Sequence, residues 1–219
     1  MQFRVSVDFD GTITTADTVD AILEAFAEPG WEAVEAEWKA GRIGSRECLA
    51  QQTALLNVHP DELDAWLDER EVDPHVAGFF GDCLKAEMPV AVVSDGYDWA
   101  VRRVLKRMGV RGVPITANRL IHVGDGRWTA RFPYSSQNCG SGVCKCAVVS
   151  APARLVHIGD GRSDVCVSDM ADIVFAKGHL LEHRRRRGLD SIAFDTFAEV
   201  RAWLPRLAEI APQPVPQVA

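Results

Sequence analysis

What the 219-residue chain lacks narrows its function before any motif is read. It has no apolar run of the roughly 20 residues that a bilayer-spanning helix needs, so no membrane role is expected. The first 20 residues carry Asp8, Asp10, Asp17 and Asp20 and no leader-like apolar stretch, so no export signal is expected either. Positive charge is scarce: 24 Lys and Arg against 31 Asp and Glu give a net charge of −7. The longest basic run is Arg184-Arg185-Arg186-Arg187. Binding a nucleic-acid backbone needs clustered positive charge, so nucleic acid is not an expected partner, and the arginine run is expected on a solvated helix end. Six cysteines in a chain of this length do not make a dense disulfide framework, and a cytoplasmic setting is the simpler expectation.

What is present is an ordinary globular composition, 47% hydrophobic and 25% charged, with length for one large domain or a core with an insertion. The most informative stretch comes early. Phe3, Val5 and Val7 alternate with Arg4 and Ser6, which predicts a short strand ending at Asp8-Phe9-Asp10-Gly11-Thr12. Two carboxylates one residue apart at a strand end suit metal-assisted chemistry on an anion, one attacking and the other handling a proton. On its own, Asp10-Gly11 also reads as a polar turn after a buried strand.

Further along, residues 16–26 predict a helix with Val19, Ile22, Leu23 and Phe26 on one face. Residues 31–70 are helical and polar with no convincing β-run, as in a cap inserted into an α/β core. After a helix over 72–85, Pro89–Val93 reads as a buried parallel strand ending in the polar turn Ser94-Asp95-Gly96. A helix over 97–108 and short strands near 113–117, 173–176 and 191–194 follow, with a last helix over 197–210. The expected fold class is α/β, a three-layer Rossmann-like core with a parallel sheet. The core takes residues 1–14 and 76–210, a small helical cap takes 15–75, a β-hairpin lies near 119–133, and the proline-rich 211–219 is a mobile tail.

One pattern occurs twice. Arg119-Leu120-Ile121-His122-Val123-Gly124-Asp125-Gly126-Arg127 is nearly repeated as Arg154-Leu155-Val156-His157-Ile158-Gly159-Asp160-Gly161-Arg162. The first copy runs on into Trp128-Thr129-Ala130-Arg131-Phe132, which alternates, so its Gly124-Asp125-Gly126 is expected to be a hairpin turn. The second runs into a helical sequel with Asp164 four residues after Asp160. A strand, an acidic turn and a helix form the arrangement whose carboxyl edge holds ligands in open α/β sheets. The second copy is therefore taken as functional and the first as structural.

In chain order, Asp8 and Asp10, Ser94, Lys145, and Gly159-Asp160 with Asp164 resemble the four motifs of the haloacid dehalogenase superfamily of phosphohydrolases. The resemblance runs to about Leu207. It implies that Asp8 attacks phosphorus to form an aspartyl-phosphate and that Asp10 protonates the leaving oxygen, then deprotonates water. It also implies Mg²⁺ held by Asp8, the backbone carbonyl of Asp10, and Asp160, with Asp164 on the metal or its waters. Ser94, a backbone N–H of Asp95 or Gly96, and Lys145 would bind the phosphoryl oxygens. Lys145 also reads as a surface lysine, Ser94 as a helix N-cap, and Asp164 as a partner for a helix dipole.

Three thiols, Cys139, Cys144 and Cys146, surround Lys145. Zinc is one reading, though the spacing is not a paired CxxC; packing in a Gly-rich loop is the other. The segment is similar to that of enol-phosphosugar phosphatases of methionine salvage, in the phosphoserine-phosphatase-like branch. Substrate choice is expected in the cap, with Asp17, Trp31, Glu35, Trp38, Arg42 and Gln52 as candidates, the tryptophans being equally suited to cap core. Leu49-Ala50-Gln51-Gln52-Thr53 has no arginine where serine-phosphate hydrolases use one, so a small sugar- or enol-type phosphate is preferred. A phosphoserine-type phosphatase, a phosphotransferase or mutase, and a non-catalytic binding module are the alternatives.

Overall fold

The computed structural model describes residues 3–149 and 154–209, so the expected tail 211–219 lies outside the described residues. The strands are β1 (Phe3–Val7), β2 (Val90–Tyr97), β3 (Ile115–Gly124), β4 (Arg127–Arg131), β5 (Arg154–Gly159), β6 (Ile173–Ala176) and β7 (Ile192–Ala193). They form one sheet in the order β4-β3-β2-β1-β5-β6-β7, parallel except for the β3–β4 hairpin. Around them lie α1 (Thr18–Phe26), α2 (Trp31–Lys39), α3 (Ser45–Thr53), α4 (Pro60–Asp68), α5 (Val76–Lys85), α6 (Asp98–Arg107), α7 (Lys145–Val148), α8 (Val165–Ser168), α9 (Gly178–Arg186) and α10 (Phe197–Glu209).

Alternation along the strands makes three layers, because successive side chains leave a strand on opposite faces. Val5 and Val7, with Val156 and Ile158 of β5, join one large core with Phe79 and Phe80 of α5 and Phe197 and Val200 of α10. Leu155, the odd member of β5, points the other way and packs with Val93, Val143, Val149 and Val167. Phe79 meets Phe197 edge to face at 5.1 Å, tying α5 to α10. The molecule is an α/β fold with a Rossmann-like, mostly parallel sheet.

Helices α1 to α4 fall between β1 and β2 and dock on α6 and the hairpin. Arg103 of α6 bridges Asp64, at 2.9 Å, and Asp68 of α4, while Trp128 Nε1 of β4 donates to the Val58 carbonyl at 2.9 Å. No helix among the described residues is long and apolar enough to cross a membrane.

Four details differ from the sequence expectation. Strand β3 is one continuous element, parallel to β2 at its start and antiparallel to β4 at its end, where two separate strands were expected. Buried Asn118 sits at the join and donates to the Asp95 carbonyl at 2.6 Å, which carries the strand through a polar position. Ser94-Asp95-Gly96 is not a turn after β2 but lies within it, where the register against β3 shifts between Val93 and Tyr97. The Gly-rich cysteine segment ends in the one-turn helix α7, which carries Lys145. In the arginine run, Arg184 is buried rather than solvated: its guanidinium donates to the Ser168 carbonyl at 3.0 Å and the Asp190 carbonyl at 2.6 Å.

Candidate active site

Val7 pairs with Val92 on one side and Ile158 on the other, so the residues that follow β1, end β2 and follow β5 share one edge of the sheet. The chain leaves β1 towards β2 and β3, then returns to β5 on its other flank; ligands of open α/β sheets lie at such reversals. Asp8 is buried there, its backbone N–H donating to the Ile158 carbonyl at 2.9 Å. Gly11 turns back with φ +69°, and a Cβ at that position would strike the Asp160 carboxylate. Thr12 closes the contact, its hydroxyl donating to Asp160 Oδ1 at 2.5 Å. The first and fourth motifs are thereby pressed together.

Lys145, wholly buried, places Nζ 2.8 Å from Asp8 Oδ1 and 2.6 Å from Asp164 Oδ1. Burial alone would lower its pKa, but Asp164 and Asp8 outweigh burial and hold it charged. Asp164 also accepts from the backbone N–H groups of Asp160 at 3.1 Å and Gly161 at 2.9 Å. His157 Nε2 lies 3.0 Å from Asp164 Oδ1. Burial pushes Asp164 up, but Lys145 and then His157 outweigh it and hold the carboxyl well below its usual range. An ionised carboxylate only accepts, so His157 Nε2 is the donor. Asp8 is shifted the other way, well above its usual value, by burial and then by the charge of Asp164, against the pull of Lys145.

Asp10 faces the second strand. Its Oδ1 accepts from the Thr18 N–H and its Oδ2 from the Ser94 hydroxyl, both at 3.1 Å. Burial and then Asp17 push its carboxyl up to about 7. Ser94 Oγ in turn accepts from the Gly96 N–H at 2.9 Å. The Asp95 carboxylate serves as a latch: it accepts from Ser45 Oγ at 2.5 Å, the Val143 N–H at 2.7 Å and Asn118 Nδ2 at 3.2 Å. It thus ties α3, the cysteine segment and β3 to the strand end that carries Ser94.

A cavity of about 160 Å³ opens between this edge and the helical block, with Asp8, Asp10, Asp95, Gly96 and Asp160 on the core side. Asp17, Glu35, Trp38 and Gln52, four of the cap candidates, line the other side. Asp17 also caps α1, accepting from the N–H groups of Val19 and Asp20. Gln52 Nε2 donates to Glu35 Oε2 at 3.0 Å. Trp31 and Arg42 are not in the wall. Trp31 packs against the main core, and Arg42 lies exposed on the surface, forked onto Glu37 at 2.6 and 2.7 Å. Sequence reading missed Val19, Asp20, Ser45, Cys48, Leu49, Arg162 and Ser163, which line the cavity. Ser45, Cys48, Leu49 and Gln52 follow helical spacing along one face of α3, a signal that would have extended the lone candidate Gln52.

A profile of the haloacid dehalogenase-like hydrolases matches residues 5–169, which span every residue of this edge. The chain belongs to that family. The 2-hydroxy-3-keto-5-methylthiopentenyl-1-phosphate phosphatase of Geobacillus thermodenitrificans is 31% identical to this hydrolase, over 96% of this chain and 99% of its own. The phosphatase of the same name from Brevibacillus brevis is 29% identical over 88% of this chain and 90% of its own. Among solved structures, a substrate-bound phosphoserine phosphatase superposes with a TM-score of 0.71 at 20% identity, over 93% of this chain and 98% of that one. That likeness is one of fold.

Divalent metal suits the hydrolase's donor set. Asp8, Asp160 and Asp164 offer oxygens within 4.8 Å of one another, and among the described residues no other three His, Cys, Asp or Glu converge so. The zinc reading of Cys139, Cys144 and Cys146 therefore finds no such cluster. One ammonium among three carboxylates leaves an excess of negative charge, and Asp160 is pushed up to about 6, chiefly by burial and by Asp164. An all-oxygen set short of positive charge is what a hard cation takes.

Proposed function

We propose that this phosphatase hydrolyses a small enol- or sugar-type phosphate in two steps, through an aspartyl-phosphate on Asp8. The observation that carries the reading is Lys145 gripping Asp8 and Asp164 beneath a cavity that Asp8 and Asp10 open into. Asp8 attacks phosphorus and the ester oxygen leaves. Asp10, pushed up to about 7 and so able to hold a proton at neutral pH, protonates that oxygen. It then takes a proton from the water that attacks the aspartyl-phosphate. Ser94 and Lys145 bind phosphoryl oxygens, where fixed donors act on developing charge. Asp8, the Asp10 carbonyl and Asp160 would hold Mg²⁺, which when bound offsets the charge of carboxylates and phosphoryl group alike. Asp164, with four donors already on it, is better placed to orient Lys145 and metal-bound waters than to bind the ion directly.

The helical block over residues 15–75 acts in this reading as a cap that selects substrate. Its wall offers Val19, Cys48, Leu49 and Trp38 to an apolar group and the Glu35–Gln52 pair to hydroxyl or carbonyl oxygens. Arg162 is the one cation among the described lining residues, and it is engaged: it donates to the Lys39 carbonyl at 3.2 Å and lies 5.8 Å over the Trp38 ring. A substrate carboxylate would face Asp17, Asp20 and Glu35 without a free guanidinium. The substrate named for the relatives carries a methylthio end and keto and hydroxyl oxygens, which suits such a wall. All six cysteines are unbridged, which supports a reducing, cytoplasmic setting.

The test is phosphate release with Mg²⁺ from enol phosphates, sugar phosphates, phosphoserine and p-nitrophenyl phosphate, with no acceptor added. An enol or sugar phosphate is expected to lead, and Asp8→Asn is expected to lose about 10³-fold or more in turnover. Phosphoserine as the best substrate would overturn the specificity. Full turnover by Asp8→Asn would overturn the mechanism.

A further inference from the structure

Two thiols stand next to the phosphate-binding machinery without belonging to it. Cys146 follows Lys145 in α7, and Cys166 lies two residues after Asp164, in α8. Their sulfurs are 2.8 Å apart across 20 residues of chain. Cys166 is exposed and Cys146 half-buried, so a solute oxidant reaches the pair from outside. The pair is not part of a closed metal site. Structural zinc takes four ligands, and the one convergent set of three or more ligand groups among the described residues is the aspartate cluster.

We propose that Cys146 and Cys166 form a redox-responsive dithiol, closed to a disulfide by a hydroperoxide, and that closure slows the hydrolase by displacing Lys145. A disulfide bond is ~2.05 Å long, so the sulfurs need to approach by less than about 1 Å. Helix α7 is a single turn, so a shift of Cys146 is expected to carry the neighbouring Lys145 with it. The residue it carries is wholly buried, with Nζ held 2.8 Å from Asp8 and 2.6 Å from Asp164. Charge-assisted contacts of that length tolerate little displacement, and misplacing a catalytic group by about 1 Å costs up to roughly 10²-fold in rate.

The chemistry balances with the peroxide as two-electron oxidant. The Cys166 thiolate attacks one peroxide oxygen, the O–O bond breaks, and the departing oxygen takes up a proton as water or alcohol. This leaves Cys166 as a sulfenic acid. The Cys146 sulfur then attacks the Cys166 sulfur, the S–O bond breaks, and hydroxide leaves with the thiol proton as water. A small dithiol reverses the reaction by exchange and is itself oxidised.

The full-length protein is treated with hydrogen peroxide, blocked with N-ethylmaleimide and mapped by mass spectrometry, with p-nitrophenyl phosphate turnover followed in parallel. The expected result is a loss of two hydrogens, a cross-link between the peptides holding Cys146 and Cys166, and a roughly tenfold fall in turnover that dithiothreitol restores. Cys166→Ser and Cys166→Ala are expected to keep untreated turnover within about twofold and to show neither cross-link nor reversible loss. The mapping stands whatever the protein hydrolyses. Free alkylation of both thiols after peroxide, a link from Cys146 to Cys144 instead, stoichiometric zinc held by these thiols, or a complete cross-link with unchanged turnover would each overturn the proposal.

Discussion

The two copies of the Arg-Leu-x-His-x-Gly-Asp-Gly-Arg pattern differ at only Ile121/Val156 and Val123/Ile158, yet they do opposite work. The first is the end of β3 and the turn of an antiparallel hairpin; the second is β5, parallel to β1 and β6, with the acidic loop at its tip. Val123 is 60% exposed while its counterpart Ile158 is fully buried. His122 leans on the Trp128 ring at 5.0 Å between centroids, whereas His157 holds Asp164. Asp125 stands in the turn at φ 48°, whereas Asp160 is locked by Thr12. Nine residues of shared pattern thus carry no role by themselves. The sequel decides: Trp128 alternates onward into β4, while Asp164 comes back to meet Lys145.

Substituting matched positions tests that difference, and the largest effect is expected at the aspartates. Asp160→Asn removes a carboxylate from the proposed metal cluster and is expected to lower turnover by at least about 10²- to 10³-fold. Asp125→Asn replaces one residue tolerant of left-handed backbone by another and is expected to stay within about twofold. Steady-state phosphate release on both variants decides it. Equal losses would mean that the two turns are not functionally distinct.

Next come Trp128 and its counterpart Ser163. Trp128 is buried, stands edge-on to Trp99 at 5.1 Å and donates to the Val58 carbonyl. Trp128→Ala is expected to cost about 3–5 kcal/mol in urea unfolding. Ser163→Ala, at the cavity wall, is expected to stay within about 0.5 kcal/mol. The copy without the chemistry should therefore be the more sensitive in stability.

How much of this was legible depends on whether a residue's role is local. Asp8, Asp10, Ser94, Asp160 and Asp164 were readable as candidates because each lies in or beside a strand end that the sheet gathers, and Lys145 only through the resemblance of the motif order. The cavity wall was only partly readable. Arg42 lies outside the wall because Glu37, five residues back, offers a closer fork, and Trp31 because the core takes its ring. Asp95 or Gly96 was expected to lend a backbone N–H. Nothing in Ser94-Asp95-Gly96 reveals that its carboxylate binds Ser45, Asn118 and Val143, which arrive from three distant segments. Arg184 looked solvated because its partners, the Ser168 and Asp190 carbonyls, are backbone atoms with no residue signature.

The histidines give a smaller contrast. His157→Ala leaves the buried Asp164 short of one charge-assisted donor, with an expected cost of about 2–3 kcal/mol and a secondary fall in turnover as Lys145 loses its fixed partner. His122→Ala loses a ring contact at a half-buried site, worth about 1 kcal/mol, with turnover unchanged. Thermal unfolding alongside kinetics separates the two; matching stability losses would show that the Asp164 contact adds little.

The smallest effects, and the clearest difference of sign, are expected at the second glycine of each turn. Gly126 has φ +73°, and a Cβ there would come within 2.9 Å of Asn57 Oδ1 and 3.4 Å of the Val58 nitrogen. Gly126→Ala therefore meets both a strained backbone and a crowded neighbour, and should destabilise by about 1–2 kcal/mol. Gly161 has φ −105°, open to any residue, and a Cβ would find only Asp164 Oδ2 at 3.8 Å and Ser163 Oγ at 4.0 Å. Its N–H, which donates to Asp164 at 2.9 Å, is kept by alanine. Gly161→Ala should thus stabilise by about 0.4–1 kcal/mol, because the unfolded chain loses freedom that the folded loop does not use. Opposite signs in chemical denaturation would show that the same Gly-Asp-Gly is a backbone requirement in the hairpin. In the acidic loop the requirement falls instead on the carboxylates. A loss at Gly161 equal to that at Gly126 would refute this division.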